Sequence, residues 1–199
     1  MSGGFTVRSY RESDERDWVV CRVLSFLDSA FFDDVRTAKE TYPNPAIELV
    51  AERDGEIVGL IDVECEEEPG TVCEDRPGLG GMIWHLAVHP DHRRHGVASM
   101  LLKEAERQAA RHDLVRFEAW TRDDAGARAW YEARGFDAVS SYLHVYVELE
   151  DGLREVFPVT DDGLRPVRVF AHYLGDERDA VRRRFSRVHE DVLYERRFR

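Results

Sequence analysis

Apolar and polar residues alternate along Phe5-Thr6-Val7-Arg8-Ser9-Tyr10, the period of a strand with one buried face. Ser13 or Asp14 then caps a helix whose first turn is acidic, as its dipole favours, and whose apolar positions are Trp18, Cys21, Val23 or Leu24, and Leu27. A second helical segment is expected from Ala30 to Tyr42, closed by Pro43-Asn44-Pro45. Ile47 to Ala51 and Ile57 to Glu64 flank Asp54-Gly55, a hairpin signal. Residues 66–70 and 76–81 bracket an irregular acidic loop. Ile83, Leu86, Ala87 and Val88 suit a buried strand, which Pro90 stops because it cannot donate to a ladder. Val97, Met100, Leu101, Ala105 and Ala109 then recur at helical spacing.

Leu114 to Thr121 reads as the next strand, followed by a helix capped by Asp123 or Asp124 and ended by Gly135. Phe136 begins a further strand that continues through Ser141 to Val147. Beyond Glu148 the pattern is sparser. Asp151-Gly152 and Asp161-Asp162-Gly163 signal turns, Val167 to Tyr173 a strand, Asp176 to Arg187 a basic helix and Val192 to Glu195 a final strand.

The join at residues 88–99 carries chemistry. A strand runs into a tight basic turn, Arg93-Arg94-His95-Gly96, and then into a helix start, Val97-Ala98-Ser99. The first N–H groups of a helix have no internal partner, and the dipole makes that end attractive to anions. Gly96 has no Cβ to block close approach, so the turn reads as a pyrophosphate cradle.

Arg93-x-x-Gly96-x-Ala98, placed after such a strand, resembles the acetyl-CoA signature of the GNAT N-acetyltransferase superfamily. Downstream, Asp124, Ala127, Tyr131, Gly135 and Phe136 resemble a second motif of that family, with Asp124 where Asn is usual. The resemblance covers roughly Phe5 to Val147. It implies an α/β (α+β) fold with a mixed, mostly antiparallel central sheet of about six to seven strands, splayed in the middle and flanked by about four helices. Residues 1–149 would form the acetyltransferase core, 150–190 an extra strand–helix insertion and 191–199 the final strand, all in one domain. The insertion is a departure, since the last two strands usually form a simple hairpin.

The resemblance also implies acetyl-CoA as co-substrate, no metal, and direct attack by a primary amine of a small molecule or peptide. The alternative is a non-catalytic acetyl-CoA-binding module. The cofactor set would be Leu86, Ala87, Val88, Arg93, Arg94, His95, Gly96, Val97, Ala98, Ser99 and Asp124. Tyr131 corresponds to the residue that protonates the leaving thiolate in many members. For the base, Glu118 on the strand beside the cofactor strand and His85 near the thioester stand level, with Asp62 and Glu64 behind them. The first two helices and their connection would line the acceptor pocket, which makes Phe31, Phe32 and Tyr42 candidates.

Composition trims the remaining options. A net charge of −12 disfavours a nucleic-acid partner. Of the 28 basic residues only Lys39 and Lys103 are lysine, a balance that fits either a high-salt source or Arg-rich codon usage. The three cysteines have no metal-ligand spacing and read as reduced thiols. No apolar run approaches the ~20 residues of a membrane span, and residues 1–5 do not read as a leader, so a cytoplasmic protein is expected. A homodimer is a candidate assembly. Glu64 and Glu66 to Glu68 would favour a cationic acceptor.

Overall fold

The structure, a computed structural model, describes residues 4–159, 161 and 163–198. Asp162, in the turn expected at 161–163, lies outside the described residues. Eight strands form one sheet: β1 (Thr6–Ser9), β2 (Ala46–Arg53), β3 (Glu56–Cys65), β4 (Leu79–Val88), β5 (Leu114–Thr121), β6 (Asp137–Glu148), β7 (Arg168–Tyr173) and β8 (Arg187–Arg197). Their order is β1-β2-β3-β4-β5-β8-β6-β7, and every pair is antiparallel except β4 with β5. The eighth strand, beyond the six or seven expected, is β7, which adds an outer edge beside β6.

The helices are α1 (Glu15–Phe26), α2 (Val97–Ala109), α3 (Ala125–Glu132), α4 (Leu153–Val156) and α5 (Arg178–Arg184). On one sheet face α2 packs Val97, Leu101, Ala105 and Ala109 against Leu49, Ile61, Ile83, Phe117 and Ala119. It comes so close to β3 that a Cβ on Gly59 would stand 2.8 Å from Val97. The opposite face takes Trp18 and Cys21 of α1 against Val50, Leu60 and Ala87. The alternation that selects strands therefore also assigns each side chain to one of two chemically distinct faces. No helix among the described residues is long and apolar enough to cross a membrane.

The helix expected over Ala30 to Tyr42 does not form; the chain there makes turns and an extended loop. Its carbonyls are taken by distant guanidinium groups instead of by N–H groups one helical turn on. Arg122 donates to Ala30 O at 2.5 Å and Arg22 to Asp34 O at 2.7 Å. Phe31 stacks under Arg122 and Phe32 under Arg187, so two neighbouring rings meet different partners. Three charged partners from elsewhere in the chain outweigh a weak helical pattern.

Candidate functional site

β4 and β5 run together from Leu79/Leu114 to Ile83/Ala119 and then part. Past that point β4 keeps only β3 as a neighbour, with Leu86, Ala87 and Val88 opposite Ile61, Leu60 and Gly59. The His89 N–H bonds to Val58 O. Antiparallel ladders alternate, so Leu86 and Val88 turn their N–H and C=O groups away from β3 and towards the gap. Trp84 is the extra residue of a β-bulge, since Asp62 pairs with His85 and Val63 with Ile83. The gap opens into a cleft of about 990 Å³, walled by the end of β4, the α1 end with residues 28–42, and the β5–α3 junction.

At the mouth of the gap lies the predicted cradle. Arg94 (φ 62°) and Gly96 (φ 83°) both take the left-handed conformation, which folds the turn back on itself before α2 begins. The first helical bond is Met100 N to Gly96 O, so the N–H groups of Val97, Ala98 and Ser99 remain free of helix partners. A Cβ on Gly96 would meet no protein atom, which leaves open space for a ligand above the turn. Arg93 is exposed, but its guanidinium reaches back to donate to Val88 O (3.3 Å) and Ser25 O (2.6 Å), bracing the turn against α1. His95 Nδ1 donates to Arg93 O at 2.8 Å. Arg134, not among the residues expected from sequence, donates to Ser99 Oγ at 2.7 and 3.1 Å and brings a further cation to the helix start. Its signal was only its place one residue before Gly135.

These features fit the diphosphate of CoA: an open helix start, free amides and two exposed or half-buried arginines. Gly96→Val is accordingly expected to weaken acetyl-CoA binding by calorimetry, because its methyls would occupy the open space above the turn, and to lower stability by about 1–2 kcal/mol, because a β-branched residue is strained at positive φ.

Tyr131 lines the cleft from α3. Its ring stacks on Tyr194 at 5.5 Å and meets Phe136 and Trp130 edge-on, so its position is fixed by packing. Burial raises its phenol above the usual tyrosine range and keeps it protonated. Asp124 caps the same helix, its Oδ1 accepting from Ala127 N at 2.9 Å.

The two residues weighed as bases lie in different places. His85 lines the cleft, 5% exposed, with its ring edge-on to Trp18. Glu118 does not line it. Fully buried, it accepts from Arg116 Nε at 2.8 Å and from the Glu74 N–H at 2.9 Å, held beneath the loop that joins β3 to β4. Glu66 organises that loop: its carboxylate accepts from the N–H groups of Gly70, Val72, Cys73 and Gly80. Glu67 and Glu68 are exposed and outside the cleft lining. Glu64 lines the cleft but is engaged, accepting from Trp84 Nε1 and Asn44 Nδ2, both at 2.8 Å. Asp62 is buried with Lys39 (3.0 Å) and Tyr42 (3.1 Å). Phe31 and Tyr42 line the cleft and Phe32 does not. Sequence reading missed Glu40, which lines the cleft and touches His85 Nε2 at 2.6 Å.

The sequence pattern of the acetyltransferase (GNAT) family matches residues 8–136. Among solved structures, the chain is similar to the ribosomal-protein-alanine N-acetyltransferase of Brucella melitensis (14% identity, 97% of this chain and 99% of that one, TM-score 0.59). It is similar also to the PaiA N-acetyltransferase of Thermoplasma acidophilum in complex with coenzyme A (10% identity, 98% and 100%, TM-score 0.57). A third is NAA60 of Arabidopsis thaliana in complex with a bisubstrate analogue (14% identity, 98% of each chain, TM-score 0.57). At these identities the structures bear on the fold, while the sequence match spans most of the chain: the protein belongs to the acetyltransferase (GNAT) family.

Proposed function

We propose that the protein moves the acetyl group of acetyl-CoA to a primary amine of a small molecule or peptide, by direct attack in a ternary complex and in the cytoplasm. The observation that carries this reading is the parting of β4 and β5 beside an open helix start, with Tyr131 on the wall of the same cleft. The free amides of Val97, Ala98 and Ser99, with Arg94, His95 and Arg134 around them, would hold the pyrophosphate. Leu86 and Val88 would pair with the pantetheine arm as an added strand would, and the Val88 N–H would polarise the thioester carbonyl. Tyr131 would give its proton to the departing thiolate. Residues 1–149 and 191–199 would form the catalytic core, with 150–190 an addition that extends its sheet.

Direct attack is favoured over a thiol intermediate. Cys21, Cys65 and Cys73 are all buried and none lines the cleft. Burial pushes the Cys21 thiol up to about 11, the Cys65 thiol up to about 12, and Cys73 upward as well, so none is a ready thiolate.

The reading is tested by CoA release from acetyl-CoA with a panel of amines: peptides with a free N-terminus, a polyamine and an aminoglycoside. Steady release with at least one of them is expected. Tight acetyl-CoA binding with no release on any amine would instead mark a binding module.

A further inference from the structure

His85 is held by partners on both ring nitrogens. Arg22 Nε lies 3.3 Å from Nδ1, and Glu40 Oε2 lies 2.6 Å from Nε2. Arg22 is 1% exposed and cannot swing away, because its other nitrogens donate to Asp34 O (2.7 Å) and Asp34 Oδ2 (2.9 Å). A guanidinium only donates, so Nδ1 is the acceptor. The ring proton therefore sits on Nε2 and is donated to Glu40. No lone pair of this imidazole is left for an amine's proton.

Glu40 is differently placed. One oxygen accepts from His85, and the other pairs with Arg36 at 2.7 Å. A carboxylate offers about four lone-pair sites, so acceptor capacity remains. Its side chain is 30% exposed and lines the cleft. The hydrogen bond from His85, working against burial and aided by the charges of Arg36 and Arg22, holds its carboxyl below the usual carboxylate range. It is thus ionised at neutral pH. Of the other carboxylates near β4, Glu64 is buried against Trp84 and Asn44, Asp62 is buried with Lys39 and Tyr42, and Asp34 pairs with Arg22 and Arg36 rather than with His85.

We propose that Glu40, from the loop between α1 and β2, is the catalytic base that takes the acceptor amine's proton, with His85 and Arg22 as positioning residues. This rests on the acyl-transfer reading above. As the amine nitrogen bonds to the thioester carbonyl carbon, its N–H becomes acidic, and a Glu40 oxygen takes that proton. The carbon–sulfur bond then breaks, the sulfur leaves with the electron pair and receives a proton from Tyr131. Glu40 passes its proton to water through the open cleft, and Tyr131 recovers one from the same solvent. The sums balance as one amine and one thioester giving one amide and one thiol.

The experiment measures kcat, KM for both substrates, and the acetyl-CoA dissociation constant for the full chain and three variants, using whichever amine the wild type accepts. Glu40→Gln keeps the shape but not the basicity, and its kcat is expected to fall about 100-fold or more, with acetyl-CoA binding within about twofold of wild type. His85→Gln retains an N–H that can reach Glu40 and is expected to stay within about tenfold of wild type, while His85→Leu falls further. A Glu40→Gln enzyme with near wild-type kcat, or a His85→Gln as inactive as His85→Leu, overturns the assignment and returns the base to His85. A wild type that binds acetyl-CoA but turns over no amine instead removes the acyl-transfer reading, and the assignment with it.

Discussion

Tyr131→Phe is expected to bind acetyl-CoA as the wild type does and to release CoA with a kcat lower by about 100-fold or more, the usual scale for losing one proton donor. The ring is held by Tyr194, Phe136 and Trp130, none of which bonds to the hydroxyl through its aromatic contact, so removing the oxygen leaves the packing intact. What would disappear is the proposed proton donor, a phenol that burial keeps protonated well above neutral pH. A thiolate leaving without that proton is a poorer leaving group, and the loss should shrink for acyl donors whose thiol is more acidic. Stopped reactions with acetyl-CoA and with such a donor check both parts. Equal losses with the two donors would mean that the hydroxyl acts in binding or packing.

The largest expected loss of stability comes from Arg116→Ala. The guanidinium is fully buried and lies 2.8 Å from Glu118, 3.7 Å from Glu66 and 3.7 Å from Glu195. It also donates to Gly78 O at 2.7 Å and Glu74 O at 2.8 Å. Arg76 and Arg197 still pair with Glu195, but removing Arg116 leaves Glu118 and Glu66 buried near one another without a cation, a defect that costs about 3–5 kcal/mol. Urea unfolding should show a midpoint far below wild type, or no folded state. Glu118→Gln removes one charge and keeps most of the geometry, so the expected cost is smaller, about 1–3 kcal/mol, and the folded variant should keep its kcat. A folded Glu118→Gln with kcat reduced more than tenfold would reinstate Glu118 as the base.

The same network has a pH signature. Burial pushes the Glu66 carboxyl up, but the N–H groups of Cys73, Gly80 and Val72, with Arg116, outweigh it and leave it below the ordinary 4.5. A carboxylate held below its unfolded value stabilises the fold above that value and loses the contribution as pH falls through the folded one. The loop of residues 66–78 should accordingly lose exchange protection as the pH falls through the folded value.

The strand–turn–helix geometry of the proposed cradle was legible because everything it needs is consecutive. A strand stop, a glycine and a helix start are local facts, and α2 declares itself by its period. Asp124 and Tyr131 were readable for the same reason, since a cap and a side chain two turns later belong to one helix. Contacts between distant residues were not. Glu118 looks like a base from its strand position alone, and only Arg116 and the Glu74 N–H, the latter 44 residues away, give it a structural task. Glu40 meets His85 across 45 residues, and no periodicity marks it. The segment after α1 misled because its apolar spacing is helix-like, while its shape is set by Arg22 and Arg122 capturing backbone oxygens.

The strand order has a consequence for how the chain is made. β8 sits between β5 and β6, yet it follows both in sequence. During synthesis, strands β1 to β5 and the β6–β7 pair can each assemble, but their facing edges have nothing to pair with until β8 emerges. Two open edges in one half-built molecule are a hazard for mispairing with neighbouring chains. β8 also joins residues far apart in sequence, such as Arg116 and Arg197, so its insertion is a slow, non-local step. The seam between β5 and β6 therefore closes only after the strands on both sides of it have been made.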